Sequence, residues 1–419
     1  MTDDTSAAAQ LALQVAERLL DPDAVTEHLS PRSAPTLSGL AGTALLHARL
    51  ATVDDRFANA AIKHWDRATV CARRINAAGS GTFSVPGSIA ASLILGSGYL
   101  PDLGRHVQRC AAAARWLSAH ALAIADQHRD RIRSGLSTAS WATYDAISGL
   151  AGTGRVLMAA VEQGHQHAQP GLDAALDTLT SIIGTRIDDR PGWWLPAEVH
   201  PAATAVHPSG AATTGTAHGI AGPLALLAVA HTSGHSVSGQ KQAIRDAADW
   251  LLRWHEPDTD TWPPHVSGRE LDHGAADGVP GRRDAWCYGT PGIAAALILA
   301  ARAAGNGEYR AVAEHTMRAL AARDSTNWDV EGPALCHGDA GVLQAASMCP
   351  DLAGKAAASV MSAVDPRHRY LFCRAEHGAV HEDPGLLTGA AGIALALADH
   401  AGLPGADSPG CWDSILLLS

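Results

Sequence analysis

The sequence predicts an all-α fold in which about seven helix pairs close into an α/α toroid. Three observations predict it. A Gly-x-x-Gly motif recurs along the chain, with starts at residues 39, 87, 149, 219, 289, 338 and 389. A spacing of roughly fifty to seventy residues is the mark of a repeat architecture, each repeat long enough for two helices. An apolar run follows every copy, hydrophobic nearly all round, as a buried helix is. Amphipathic stretches lie between these runs, and strand signals are sparse.

Taken in order, Gly39-Leu40-Ala41-Gly42 precedes TALLHARLA. Gly87-Ser88-Ile89-Ala90 precedes ASLIL and reads as a weakened copy, with Ala in place of the second glycine. Gly149-Leu150-Ala151-Gly152 precedes TGRVLMAAV, and Gly219-Ile220-Ala221-Gly222 precedes PLALLAVA. Gly289-Thr290-Pro291-Gly292 leads into IAAALILAARAAG, Gly338-Asp339-Ala340-Gly341 into VLQAASM, and Gly389-Ala390-Ala391-Gly392 into IALALADHAG. Glycine here permits a tight turn and close helix packing. The run from Gly149 to Gly154 is no nucleotide loop, because no strand precedes it and the order is not GxGxxG. The amphipathic stretches 107–120, 172–183, 241–254 and 309–322 supply an outer layer. Two segments, 187–216 and 255–284, exceed a simple connection and hold Trp193, Trp194 and Trp262 among prolines and glycines. They read as long ordered loops with room for short hairpins, and loops of that length are usually functional.

A length of 419 residues would ordinarily suggest two or three domains. No linker divides this chain, so 1–419 is expected to be a single domain. Hydrophobic residues make up 47% and charged residues 17%, which allows a large core. The net charge of -11, without a basic cluster, argues against nucleic acid or an anionic membrane as the main partner. No run approaches the ~20 apolar residues of a membrane span. The acidic start MTDDTSAAAQ is unlike a basic signal peptide. The expectation is a cytoplasmic protein, with any membrane association arising through partners. Seven scattered cysteines suit free or metal-bound thiols better than a disulfide framework.

Cys287 and Cys336 each lie two residues before the first glycine of their repeat, and His337 adjoins Cys336. Two thiols and one imidazole form a Cys₂His set for zinc with a fourth position open, as catalytic zinc keeps it. Cys71, Cys110, Cys349, Cys373 and Cys411 sit away from the motifs and read as small buried hydrophobes. Among 22 histidines a lone one says little, and His128, His165, His315 and His400 read as surface residues. His218 differs, because it precedes Gly219 as His337 precedes Gly338. Asp145, four residues before Gly149, fits a helix N-cap and a catalytic carboxylate equally well. Arg283 alone would read as a surface charge, and Trp286 and Tyr288 suit core or pocket wall equally.

The stretches YDAISGLAG at 144–152, AHGIAG at 217–222, RDAWCYGTPG at 283–292, CHGDAG at 336–341 and GLLTGAAGIALAL at 385–397 follow one another in a familiar order. On these the chain resembles the lanthionine synthetase C-like cyclases over nearly its full length. The resemblance implies an α/α toroid with one zinc ion held by Cys287, Cys336 and His337. It implies an active site lined by Asp145, His218, Arg283, Trp286 and Tyr288. The implied activity is addition of cysteine thiols in a dehydrated precursor peptide to dehydroalanine or dehydrobutyrine, giving lanthionine or methyllanthionine thioether rings. A dehydratase is then a candidate partner. His218 would protonate the α-carbon, with Asp145 orienting it or helping to accept the thiol proton. Arg283 would steady the enolate oxygen, and Tyr288 and Trp286 would shape the pocket. Two other readings stand beside this one. The same scaffold could bind glutathione or add a small thiol. A zinc-independent α/α barrel such as a glycosidase would need paired carboxylates, for which the motif segments offer mainly Asp145 and Asp339.

Overall fold

Each apolar run behind a Gly-x-x-Gly copy is a helix buried along nearly its whole length. The seven are Leu40–Arg49, Gly87–Ser97, Leu150–Glu162, Ala221–Thr232, Thr290–Ala304, Asp339–Ala345 and Ala390–His400. The amphipathic stretches are the helices His106–Arg133, Gln169–Gly184, Gln240–Arg253 and Gly307–Ala322. Three more, Asp3–Arg18, Asp55–Ala72 and Pro350–Ser362, complete the set. The structure, a computed structural model, describes residues 3–75, 79–100, 104, 106–135, 139–276, 284–376, 379–403 and 411–419.

The chain groups into two units, one made of Met1–Ala114 with Arg323–Ser414, the other of Arg115–Ala322 with Ile415–Ser419. In the first, Leu40–Arg49 packs on Asp55–Ala72, and Asp339–Ala345 packs on Pro350–Ser362. The last buried helix, Ala390–His400, takes its partner from the start of the chain, Asp3–Arg18, and also packs against Leu40–Arg49. First and last repeats therefore close on one another. The Arg49 guanidinium donates to Asp399 at 2.8 Å, and the other Asp399 oxygen accepts from Gln344 (3.0 Å) and Trp412 (2.7 Å). Removing one partner of so enclosed a pair is costly, because the other charge is left buried.

In the second unit Leu150–Glu162 packs on Gln169–Gly184, Ala221–Thr232 on Gln240–Arg253, and Thr290–Ala304 on Gly307–Ala322. The helix Ala221–Thr232 also contacts both neighbouring buried helices. Strands among the described residues are confined to three two-stranded ribbons. One ribbon joins the two long loops to each other: Ala211, Ala212 and Thr213 pair antiparallel with Ser267, Val266 and His265. The others are the hairpin of Arg186–Ile187 with Arg190–Pro191 and that of Arg374–Glu376 with Ala379–His381.

The motif glycines have a steric reason. A Cβ at Gly222, Gly292 or Gly392 would run into the carbonyl oxygen six residues earlier, at Thr216, Trp286 and Leu386 respectively. The second repeat shows the same constraint. A Cβ at Gly87 would strike the carbonyl of Gly81, also six residues back. The Ser88 N–H donates to Ser84 at 2.7 Å, as the Thr43 N–H donates to Gly39 at 3.0 Å. Gly87 is thus as closely confined as the glycines of the other copies, and Ala90 is a buried residue of the helix it opens. Gly87→Ala is expected to lower stability by about 1–3 kcal/mol, the usual cost of overpacking. Urea unfolding checks this, and an unchanged midpoint would show that the Gly81 carbonyl gives way to the added methyl.

Several surface and core expectations need correction. His128 is buried at 3% exposure. It lies on the helix His106–Arg133, whose apolar face extends past residue 120, where the periodicity was expected to end. His165 and His400 are half-buried, while His315 is exposed. Of the five cysteines outside the motifs only Cys110 is buried. Cys71, Cys349 and Cys373 are half-buried, and Cys411 is exposed with its thiol 3.0 Å from Asp413.

Candidate functional site

The site begins with a four-residue helix, Trp141–Tyr144, that ends on Asp145. Asp145 is completely buried and divides its two oxygens between two tasks. Oδ1 accepts the backbone N–H groups of Ile147 (3.0 Å), Ser148 (2.6 Å) and Gly149 (2.9 Å). These amides precede a helix start and have no intrahelical acceptor. The N-cap residue itself is Gly149, so Asp145 closes the turn before the helix rather than capping it. Oδ2 lies 2.6 Å from His218 Nδ1. The capping and site readings of Asp145 are thus compatible, one per oxygen.

His218 ends the segment that leads into Ala221–Thr232, and its side chain is 26% exposed. Tyr144 donates its hydroxyl to the His218 carbonyl at 3.1 Å, which anchors the backbone. Trp141 stacks on the imidazole. Three contacts from five consecutive residues therefore fix His218.

Backbone bonds tie the motif loops together at equivalent repeat positions. Ala146 donates its N–H to the Ala217 carbonyl at 3.0 Å, and Ala217 donates to Cys287 at 3.2 Å. In the first unit Cys336 donates to Leu387, and Leu386 to Leu37, both at 2.8 Å. Ala217, Cys287, Cys336 and Leu387 all stand two residues before a first glycine. Within each unit the repeat thus places equivalent loop residues side by side, and a cysteine is among them in both.

Cys287 is 1% exposed and sits in a tight turn closed by the Asp284–Gly289 bridge. Gly289 occupies a φ of 121°, which favours glycine. Trp286 is wholly buried, and its indole N–H donates to the Leu416 carbonyl at 2.9 Å. It holds the Cys287 loop from behind. Tyr288 is half-buried on the other side. Arg283 lies outside the described residues. Cys336 is 8% exposed and His337 half-buried. Asp339, two residues on, accepts the Ser359 hydroxyl at 2.9 Å, and burial pushes its carboxyl up to about 6. Both Asp145 oxygens are already hydrogen-bonded, which removes it as the free carboxylic acid a glycosidase pair requires.

The ligand atoms of Cys287, Cys336 and His337 lie within 4.8 Å of one another, and they form the one such group among the described residues. Zinc stands ~2.0–2.3 Å from nitrogen and sulfur ligands, so these atoms are about as far apart as one ion spans. Two thiolates and an imidazole also match zinc in softness. The donor set fits the metal that the resemblance implied. The residues that sequence reasoning missed are Trp141, His200 and His265, whose rings gather beside His218 and Tyr288. The nearness of Trp141 to Asp145 was the only available signal.

A family model described as lanthionine synthetase C-like protein matches residues 31–417. No curated protein matches in sequence. Among solved structures, nisin cyclase matches with a TM-score of 0.76 at 20% identity, covering 98% of each chain. That likeness shows the fold, an α/α toroid. No helix among the described residues is long and apolar enough to cross a membrane.

Proposed function

Because the chain belongs to the lanthionine synthetase C-like family, we propose that it is a zinc-dependent lanthipeptide cyclase. Its substrate is a dehydrated precursor peptide, and its products are lanthionine or methyllanthionine rings. The observation that carries this reading is the Cys287–Cys336–His337 donor set, with ligand atoms within 4.8 Å. Zinc held there would supply Lewis acidity that lowers the pKa of a peptide thiol from its usual ~8.5 toward the nucleophilic thiolate.

This chain's own residues manage the proton. In the net reaction a C–S bond forms at the β-carbon of the dehydro residue. The alkene π bond is lost, the thiol loses its proton, and the α-carbon gains one. No electrons are exchanged with a third party. His218 Nδ1 faces Asp145 at 2.6 Å, which leaves Nε2 as the position that exchanges a proton with the reactants. Nε2 gives the α-carbon its proton. Asp145 orients the imidazole and does not take the thiol proton, a role supported by its buried, fully engaged oxygens. Tyr288 lines the reacting space, and Trp286 supports Cys287 from the core. Arg283 steadies the enolate oxygen as the family pattern implies. The paired loops 187–216 and 255–284 wall the peptide.

Ring closure conserves mass and consumes a thiol. A dehydrated precursor peptide incubated with the enzyme is expected to become resistant to thiol alkylation at unchanged mass, without glutathione. Mass spectrometry after alkylation reads both quantities. A reaction that needs glutathione, and leaves the peptide cysteines open to alkylation, would establish the small-thiol reading instead.

A further inference from the structure

Five rings of the second unit touch in a closed circle. His218 stacks on Trp141 with centroids 4.2 Å apart and planes at 11°. Trp141 meets His200 edge to face at 5.1 Å and 77°. His200 meets His265 at 5.4 Å and 89°, and His265 meets Tyr288 at 5.8 Å and 63°. Tyr288 returns to His218 at 6.3 Å and 41°. Only the Trp141–His218 contact is a parallel stack.

The Asp145 bond alone does not fix the His218 imidazole. A single hydrogen bond at Nδ1 leaves the ring free to swing about the Nδ1–Oδ2 line. That swing would carry Nε2 through an arc. A parallel indole at 4.2 Å removes this freedom, because turning the imidazole drives its edge into the indole face. The indole is itself held. His200, 4% exposed, abuts Trp141, and its Nδ1 accepts the Ala202 N–H at 3.1 Å. His265 is held through the ribbon, where Thr213 lies opposite it.

We propose that Trp141 is a positioning residue that fixes the plane of the His218 imidazole, with His200 as its buttress. This rests on the reading of His218 as the proton donor. It also gives the long loops a second task, because His200 and His265 come one from each. Burial lowers the pKa of both histidines, that of His265 to about 4. Near neutral pH neither adds a positive charge beside His218.

The test compares Trp141→Leu and Trp141→Phe in the full zinc-loaded enzyme with one dehydrated precursor peptide. Misaiming a catalytic group by about an ångström costs up to ~10²-fold. Trp141→Leu is expected to lower kcat ~10- to 100-fold with KM within about twofold of wild type, the pattern of a lost transition-state alignment. Zinc content and thermal midpoint should hold. Trp141→Phe, which restores a flat ring, should recover kcat to within about threefold of wild type. Three results would each overturn the proposal: a loss confined to KM, a Phe variant no better than Leu, or kcat falling only in step with zinc and stability. An inactive His218→Asn beside a fully active Trp141→Leu removes the Trp141 role alone. A fully active His218→Asn removes the reading of His218 beneath it as well.

Discussion

His218→Asn is expected to lower the rate of ring formation by ~10²–10⁴-fold, the usual worth of a positioned acid, while zinc content stays at the wild-type level. Asparagine suits this test because it preserves the surroundings. Its amide N–H₂ can still donate to Asp145, so the buried carboxylate keeps a partner on Oδ2. The three backbone bonds to Oδ1 and the Tyr144 bond to the residue 218 carbonyl do not depend on the side chain. What disappears is Nε2 and its proton. The measurement is a time course of alkylation resistance, with zinc assayed on the same preparation. Normal cyclisation would show that His218 does not carry the proton. Loss of metal would place His218 in the ligand set.

The helices were legible because burial imposes its pattern directly. An apolar run polar on no face must sit among other helices, and every such run did. The steric demand at residue 87 was not legible, because the carbonyl of Gly81 pressed against Gly87 is a contact the sequence does not display. The candidate ligand group was legible because repeat equivalence ties sequence position to spatial position. Cys287 and Cys336 share a place in their repeats, two residues before the first glycine. The ring circle was illegible for the opposite reason. His200 and His265 come from insertions that obey no repeat, and their pairing follows from a three-residue ribbon too short to leave a strand pattern. Asp145 was half legible. Its spacing from Gly149 suggested a cap, but a carboxylate that serves a turn with one oxygen and a histidine with the other fits neither reading alone.

Cys336→Ala is expected to take zinc from about one ion per chain to near zero, and ring formation to the uncatalysed level. A Cys₂His set offers three protein ligands. Removing one thiolate leaves two, which hold zinc poorly against buffer and water. The backbone should tolerate the change, because the Cys336 N–H bond to Leu387 does not involve the side chain. Some stability goes with the metal, since binding energy at a folded site is also folding energy. Cys110→Ala is the control: that thiol is also buried, but it donates to the Leu93 carbonyl at 3.6 Å and stands outside the Cys287–Cys336–His337 group. It should keep its zinc and its activity. Metal analysis of wild type, Cys336→Ala and Cys110→Ala on one preparation scale decides the matter. Equal zinc in all three would sink the Cys287–Cys336–His337 assignment. Equal loss in both variants would mean that any disturbed core releases the ion, and Cys336 would have no special claim to it.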